Sequence, residues 1–514
     1  MAAMRVPAPH LGCVLSRPLV RRLAYVGATR HHGIVPDVVS HKLPLHFRGA
    51  PDATAAKAVQ VPEKAAVAAA VTAAALTARH RRRTFATRKD NFLRKPDKSP
   101  KGSIDDRVLD LCNEINQSEA FFTTSSCSGR CFLWQGRHHG GAEDDMELEP
   151  VPALGVVEGS GSFVRFRVSH DPVDDLAAFD PTRAPGQGPV WLSLQGFQLD
   201  VCCREVASAW RLLRLAGRIF QDVKLYTWKE GRWMVQMEGG ELLDFPLSGP
   251  GSTNFFAGQE AWLRDLVNEN LQRNWRNIDQ LFTGIQQASE DLAEAGDSAS
   301  ADNDVLGLPG APPAGADPRG APADGAHASL AELVEELNRR PGLQVVAADS
   351  GRTSLLAVRP GGATERLRVG HGLVEAASYF DASALAAAAG QGAACWFRLE
   401  PLFLQVWCRD LGAAAALKAA AGTAFTKPGL AWRDGQCLLE ITGAERLEVP
   451  LITPNGFQPY VGHEEWLREL ANGDLRKTWS KVSRLLAEVR AMPAEAAEAA
   501  WGIPTVPAYE AVSP

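Results

Sequence analysis

Patterned and unpatterned segments alternate along the chain. From 103 to 117, Ile104, Val108, Leu111, Cys112 and Ile115 recur at three- and four-residue spacing and make one helix face apolar. Ser103, with Asp106 three residues on, forms a capping-box-like start for that helix. The stretches 121–126 and 131–134 predict strands joined by the turn Cys127-Ser128-Gly129-Arg130. Phe197, Leu199 and Val201 alternate with polar residues, as a half-buried strand does, and 204–217 returns to helical spacing. Strands over 223–228 and 233–237 flank the hairpin loop Lys229-Glu230-Gly231, and a long amphipathic helix over 259–286 closes the series. The pattern predicts an α+β fold, with a mixed, largely β core and flanking helices.

The same series then starts again. Asn113-Glu114-Ile115-Asn116 answers to Glu335-Glu336-Leu337-Asn338, and Ser128-Gly129-Arg130 to Ser350-Gly351-Arg352, both at an offset of 222. Cys203 aligns with Cys408 at 205, and Phe245-Pro246-Leu247 with Val449-Pro450-Leu451 at 204. Trp262-Leu263-Arg264 aligns with Trp466-Leu467-Arg468, and Trp275 with Trp479, also at 204. Ordered matches with a slowly drifting offset define a tandem duplication. The copies occupy 88–288 and 329–490, and each is expected to fold by itself. Between them, 289–328 is dense in Ala, Gly, Pro and Asp and reads as a linker; 491–514 is a tail.

Composition adds a basic leader. Of 514 residues, the first 101 carry 19 Lys and Arg against 5 Asp and Glu, although the whole chain has a net charge of −6. Nucleic-acid contact must then come from a local patch. The segment 1–36, rich in Arg and without an acid before Asp37, has the composition of an organelle transit peptide or, equally, of a disordered basic leader; the whole leader runs to 87. No run of 18 apolar residues is present, so no membrane span is expected. Nine cysteines without a Cys-x-x-Cys pair give neither a disulfide framework nor a zinc ribbon, and no metal is expected.

The densest polar constellation is Lys101-Gly102-Ser103-Ile104-Asp105, one helix, and then Thr123 to Arg130, with hydroxyls, a thiol, a glycine and a guanidinium at a strand end. It reads either as a Ser-rich turn or as a cradle for a polar ligand. Asp105 is a capping carboxylate or an acceptor for a substrate amine. His170 is a satisfied strand-end histidine or a general base. Cys127 is a small buried thiol or a nucleophile, with no partner base evident. Arg130 is positioned to pair with a carboxylate or phosphate. No Gly-x-Gly-x-x-Gly follows a strand, so a Rossmann-type methyltransferase is excluded.

These residues resemble the tRNA wybutosine-synthesizing protein 3 family, whose signature is Lys-Gly-Ser-(Val/Ile)-Asp followed by Ser-Ser-Cys-(Ser/Ala)-Gly-Arg. Here they are Lys101 to Asp105 and Ser125-Ser126-Cys127-Ser128-Gly129-Arg130, with Ser169-His170, Cys203-Arg204 and Phe245-Pro246-Leu247 downstream. The resemblance implies a methyltransferase that uses S-adenosylmethionine to methylate nitrogen 4 of the 4-demethylwyosine-type base at position 37 of phenylalanine tRNA. It assigns Asp105, Ser126 and His170 to catalysis, and Lys101, Ser103, Ser125, Cys127, Ser128, Gly129, Arg130 and Arg204 to substrate or cofactor binding. The alternative is a non-catalytic RNA-binding or scaffold protein that keeps the fold. The pathway points to the cytoplasm and the leader to a chloroplast or mitochondrion. In the second copy, Ala347-Ala348-Asp349 stands where Ser125-Ser126-Cys127 stood and the Lys-Gly-Ser-Ile-Asp segment is missing, so that copy is expected to be catalytically silent.

Overall fold

The computed structural model describes residues 83–96, 102–136, 157–158, 163–184, 188–229, 232–249, 254–293, 327–359, 363–390, 392–433 and 436–493. Residues 1–36, read as a transit peptide or a basic leader, most of the leader, Lys101, most of the linker and most of the tail lie outside these. A helix over 83–93 belongs to a separate unit and is described by itself.

In the first copy, helix α1 (Asp106–Gln117) precedes strands β1 (Phe121–Cys127), β2 (Arg130–Gly136), β3 (Val157–Glu158), β4 (Phe163–Ser169), β5 (Val190–Gln195) and β6 (Gln198–Cys203). Helix α2 (Val206–Ala216), strands β7 (Asp222–Lys229), β8 (Arg232–Glu238) and β9 (Leu243–Pro246), and helix α3 (Glu260–Ala293) follow. The second copy repeats this as α4 (Ala328–Arg339), β10 (Leu343–Asp349), β11 (Arg352–Val358), β12 (Thr364–Gly370), α5 (Ala382–Ala389), β13 (Ala394–Glu400) and β14 (Phe403–Cys408). It ends with α6 (Leu411–Ala421), β15 (Gly429–Arg433), β16 (Gln436–Thr442), β17 (Leu447–Ile452) and α7 (Glu464–Ala491). The fold is α+β, and the pairs among the described strands are antiparallel.

The helix predicted over 103–117 starts later than the capping box implies. Asp105 occupies the N-cap position, but its side chain caps nothing. Val108, Leu111, Cys112 and Ile115 are buried as the spacing requires.

The two copies are not separate globules. One eight-stranded sheet runs β1-β6-β8-β7-β15-β16-β14-β10, four strands from each copy in mirrored order. At its centre β7 pairs with β15, Leu225 opposite Leu430, residues equivalent at the repeat offset of 205. Gly429 permits this close crossing, since a Cβ there would stand 2.9 Å from Lys224 Cβ and 3.1 Å from the Leu225 carbonyl oxygen. Lys224, buried at the seam, pairs with Asp222 at 2.7 Å and with Glu440 of the other copy at 3.8 Å. Arg433 binds Glu440 at 2.8 Å and reaches the Gln221 carbonyl at 2.5 Å. Beside the seam, Tyr460 Oη donates to the Pro246 carbonyl at 2.7 Å, and Phe255 lies 4.8 Å from Tyr460 between ring centroids. The main hydrophobic core contains residues of both copies, and a smaller cluster of Leu356, Val358, Ala394 and Trp396 packs against Trp262 and Leu266 of the first copy. Smaller sheets, β3-β4-β2-β5-β9 and β12-β11-β13-β17, complete each copy.

Candidate active site

Only two residues, Ser128 and Gly129, separate β1 from β2, which would suit a hairpin. The strands instead enter different sheets, β1 beside β6 and β2 between β4 and β5. The turn is therefore a crossing point between sheets. Gly129 has φ +95°, and a Cβ on it would lie 2.6 Å from Asn274 Nδ2 and 3.1 Å from the Gln195 carbonyl oxygen, so only glycine fits.

Around this crossing three parts of the chain converge. Asp105 Oδ2 accepts from the Ser128 N–H at 3.0 Å and from the Ser128 hydroxyl at 3.3 Å. His170, just past the end of β4, places Nδ1 3.3 Å from the same Oδ2, 3.2 Å from the Gly129 carbonyl and 3.9 Å from Cys127 Sγ. Burial pushes the His170 imidazole toward its neutral form, but the Asp105 carboxylate and Cys127 outweigh it and raise its pKa to about 10. His170 is thus an imidazolium near neutral pH, and in that state it is a charged partner rather than a base. Cys127 does have an imidazole beside it, which no local pattern disclosed. The Asp105, Cys127 and His170 ligand atoms lie within 4.8 Å of one another, the spacing of a metal site. Nδ1, however, faces two oxygens and so carries a proton, which closes that nitrogen to a metal.

Arg130 begins β2 and points Nε at Gln195 Oε1, 2.8 Å away on β5. Its partner is a neutral amide, and no carboxylate pairs with it among the described residues. In the second copy Arg352 donates from Nε to Glu400 at 2.7 Å and also lies 3.4 Å from Asp349, so its charge is neutralised. His327 occupies the place of Asp105, and its N–H donates to Ser350 Oγ at 3.3 Å.

The other assigned residues fall into two groups. Ser125 and Ser126 lie near the end of β1, Ser125 exposed and Ser126 half-buried beside the Cys112 thiol, whose pKa burial raises to about 11. Ser103 is exposed, two residues before Asp105. Arg204 is not brought to the site. It follows β6, whose Cys203 pairs with Phe121 while Gln198 pairs with Cys127, so Arg204 lies a strand length, roughly 20 Å, from the crossing. There it is buried against Glu205 at 3.4 Å and Glu119 at 4.0 Å. Two residues that local reading missed, Gln195 and Asn274, touch the crossing from β5 and α3. The one sequence signal was Asn274 itself, a polar residue at a core position of the stripe Val267, Leu271, Asn274, Ile278.

A family model described as Methyltransferase TYW3 matches residues 87–287 and again 320–491, more than half of the chain. The chain is 27% identical over 203 residues to a tRNA wybutosine-synthesizing protein 3 homolog of Pongo abelii, covering 39% of this chain and 72% of that protein. It is 26% identical over 195 residues to the tRNA(Phe) 7-((3-amino-3-carboxypropyl)-4-demethylwyosine(37)-N(4))-methyltransferase 2 of Pyrococcus abyssi, covering 38% of this chain and 85% of that one. The solved PH1069 protein from Pyrococcus horikoshii is 21% identical and covers 36% of this chain and 86% of its own, with a TM-score of 0.30.

Proposed function

The chain belongs to the methyltransferase TYW3 family, and on that footing we propose that its first copy moves a methyl group from S-adenosylmethionine to nitrogen 4 of the 4-demethylwyosine-type base at position 37 of phenylalanine tRNA. In the transfer the nitrogen lone pair forms the new N–C bond as the C–S bond of the sulfonium breaks. S-adenosylhomocysteine would leave neutral at sulfur, and the proton of the methylated nitrogen would pass to solvent. Little covalent work falls to the protein, and most of the barrier reduction comes from holding donor methyl and nitrogen in line.

The observation that carries this reading is the convergence of Asp105, Cys127, Ser128, Gly129 and His170 in one copy only. Asp105, held by Ser128 and by the imidazolium of His170, fixes the crossing loop. Arg130, oriented by Gln195 without losing its charge, is the residue suited to the carboxylate of the donor's methionine part. Ser103, exposed two residues before Asp105, is assigned to the rim of the same site. The second copy, with His327, Ala347, Ala348 and Asp349 at the equivalent positions, takes no part in chemistry and supports the first.

Two measurements test it. Calorimetry on the purified chain should show S-adenosylmethionine binding, and nucleoside mass spectrometry of phenylalanine tRNA from cells lacking the gene should show the unmethylated base. A chain that binds phenylalanine tRNA but never the donor would be the non-catalytic RNA-binding protein instead.

A further inference from the structure

Helix α3 carries two asparagines that leave the helix to hold backbone elsewhere. Asn268 accepts from the Val173 N–H at 2.7 Å and donates to the Val173 carbonyl at 2.9 Å, fixing the segment that follows His170. Its counterpart Asn472 does the same for Val374, at 2.7 and 2.9 Å. That clamp serves the scaffold, because the copy without the polar cluster keeps it.

The second asparagine differs between the copies. Asn274 is 0% exposed, donates from Nδ2 to the Ser128 carbonyl at 2.6 Å and accepts at Oδ1 from the Phe197 N–H at 2.8 Å. It thereby spans from the crossing loop to the short connection between β5 and β6, the strand pair that also presents Gln195. Both glycines beside it make room for it, since a Cβ on Gly129 or Gly239 would stand 2.6 or 2.5 Å from its amide. The equivalent residue in the second copy is Thr478, whose hydroxyl bonds Glu445 at 3.4 Å. The asparagine bridge is present where the Ser-Ser-Cys-Ser-Gly-Arg loop is present and replaced where that loop has decayed.

We propose that Asn274 is the positioning residue of the methyl-donor site: it sets the Ser128–Gly129 backbone, and through it the directions of Arg130 and Asp105. The inference rests on the reading of that loop as the donor site. Asn274→Ala and the isosteric Asn274→Asp, made in the full chain, are compared with wild type by thermal unfolding, by calorimetry with S-adenosylmethionine and by steady-state methylation of phenylalanine tRNA. Asp keeps the acceptor for Phe197 and loses the donor to Ser128. Both variants should stay folded, bind the donor about tenfold or more weakly, and lose turnover on the order of 100-fold, as expected for a small misplacement of reacting groups, with the KM for tRNA little changed. If wild type itself fails to bind the donor, the functional reading falls. If wild type binds and the folded variants bind equally well, Asn274 does not position the site. If neither variant folds, Asn274 is a core residue and the proposal is equally overturned.

Discussion

At the scale of single residues, the partner of one arginine separates the two copies. Arg130 and Arg352 begin equivalent strands, and each meets the end of the neighbouring strand, where the first copy has Gln195 and the second Glu400. Removing Arg130 costs the fold little, because the residue starts an edge of the crossing and is half-buried. Arg130→Ala should nevertheless lose a charge-assisted contact of about 1.5–3 kcal/mol, or roughly 10- to 100-fold in donor affinity, measured by calorimetry. Unchanged affinity would remove Arg130 from the donor site. The imidazolium of His170 makes a second claim. Its folded pKa of about 10 lies above its ordinary value of 6.5. The Asp105–His170 interaction therefore stabilises fully below pH 6.5 and is lost as pH rises toward 10. Wild type should lose stability relative to His170→Gln across that window, and methylation should fall as pH approaches 10; chemical unfolding at a series of pH values reads the first effect.

At the scale of elements, the crossing loop was legible and its surroundings were not. The periodicity of Val108, Leu111, Cys112 and Ile115 required a helix, and the alternation of Leu199 and Val201 predicted a strand; the helix buries the expected face, but the strand is not half-buried, since Asp200 and Cys202 on its other face are buried as well. Strand β5 was missed, since Val190, Trp191, Leu192 and Leu194 are buried on both faces and show no alternation. The loop sequence named Asp105, Cys127 and His170 but not their arrangement, because the contact between His170 and Asp105 spans 65 positions of chain and depends on strand order. Asp105 illustrates the limit: an acid before a helix reads as a cap, yet Ser128 competes for it and wins. Gly129 is the element-scale test of the loop. Gly129→Ala would meet both a positive φ, costing about 1–2 kcal/mol, and the Asn274 amide. Donor binding should be lost while the far-ultraviolet circular dichroism stays that of wild type, and a fully active alanine variant would show that the tight crossing is not needed.

At the scale of the molecule, the duplication produces a shared sheet with equivalent residues meeting at its centre. Sequence symmetry announced two copies, and the linker made them look separable; the seam was invisible because strand partners from different copies leave no local pattern. The expectation that 329–490 folds alone is replaced by one of mutual dependence. Separation would expose the edges of β7 and β15, strip Lys224 of Glu440, and uncover Pro246, Phe255 and Tyr460. Unpaired sheet edges are costly, and Lys224 would keep only Asp222 of its two carboxylates. A protease site placed in the linker should then be cut without consequence. The two fragments should co-elute as one complex on size-exclusion chromatography and keep the methylation rate of the intact chain, whereas each half expressed alone should aggregate or fail to accumulate. Lys224→Ala should weaken the cut complex far more than a substitution at exposed Val461, since only the former lies on the seam. Fragments that part at micromolar concentration and remain folded would mean that the central strand pair contributes little, and that the second copy is a passenger on the first.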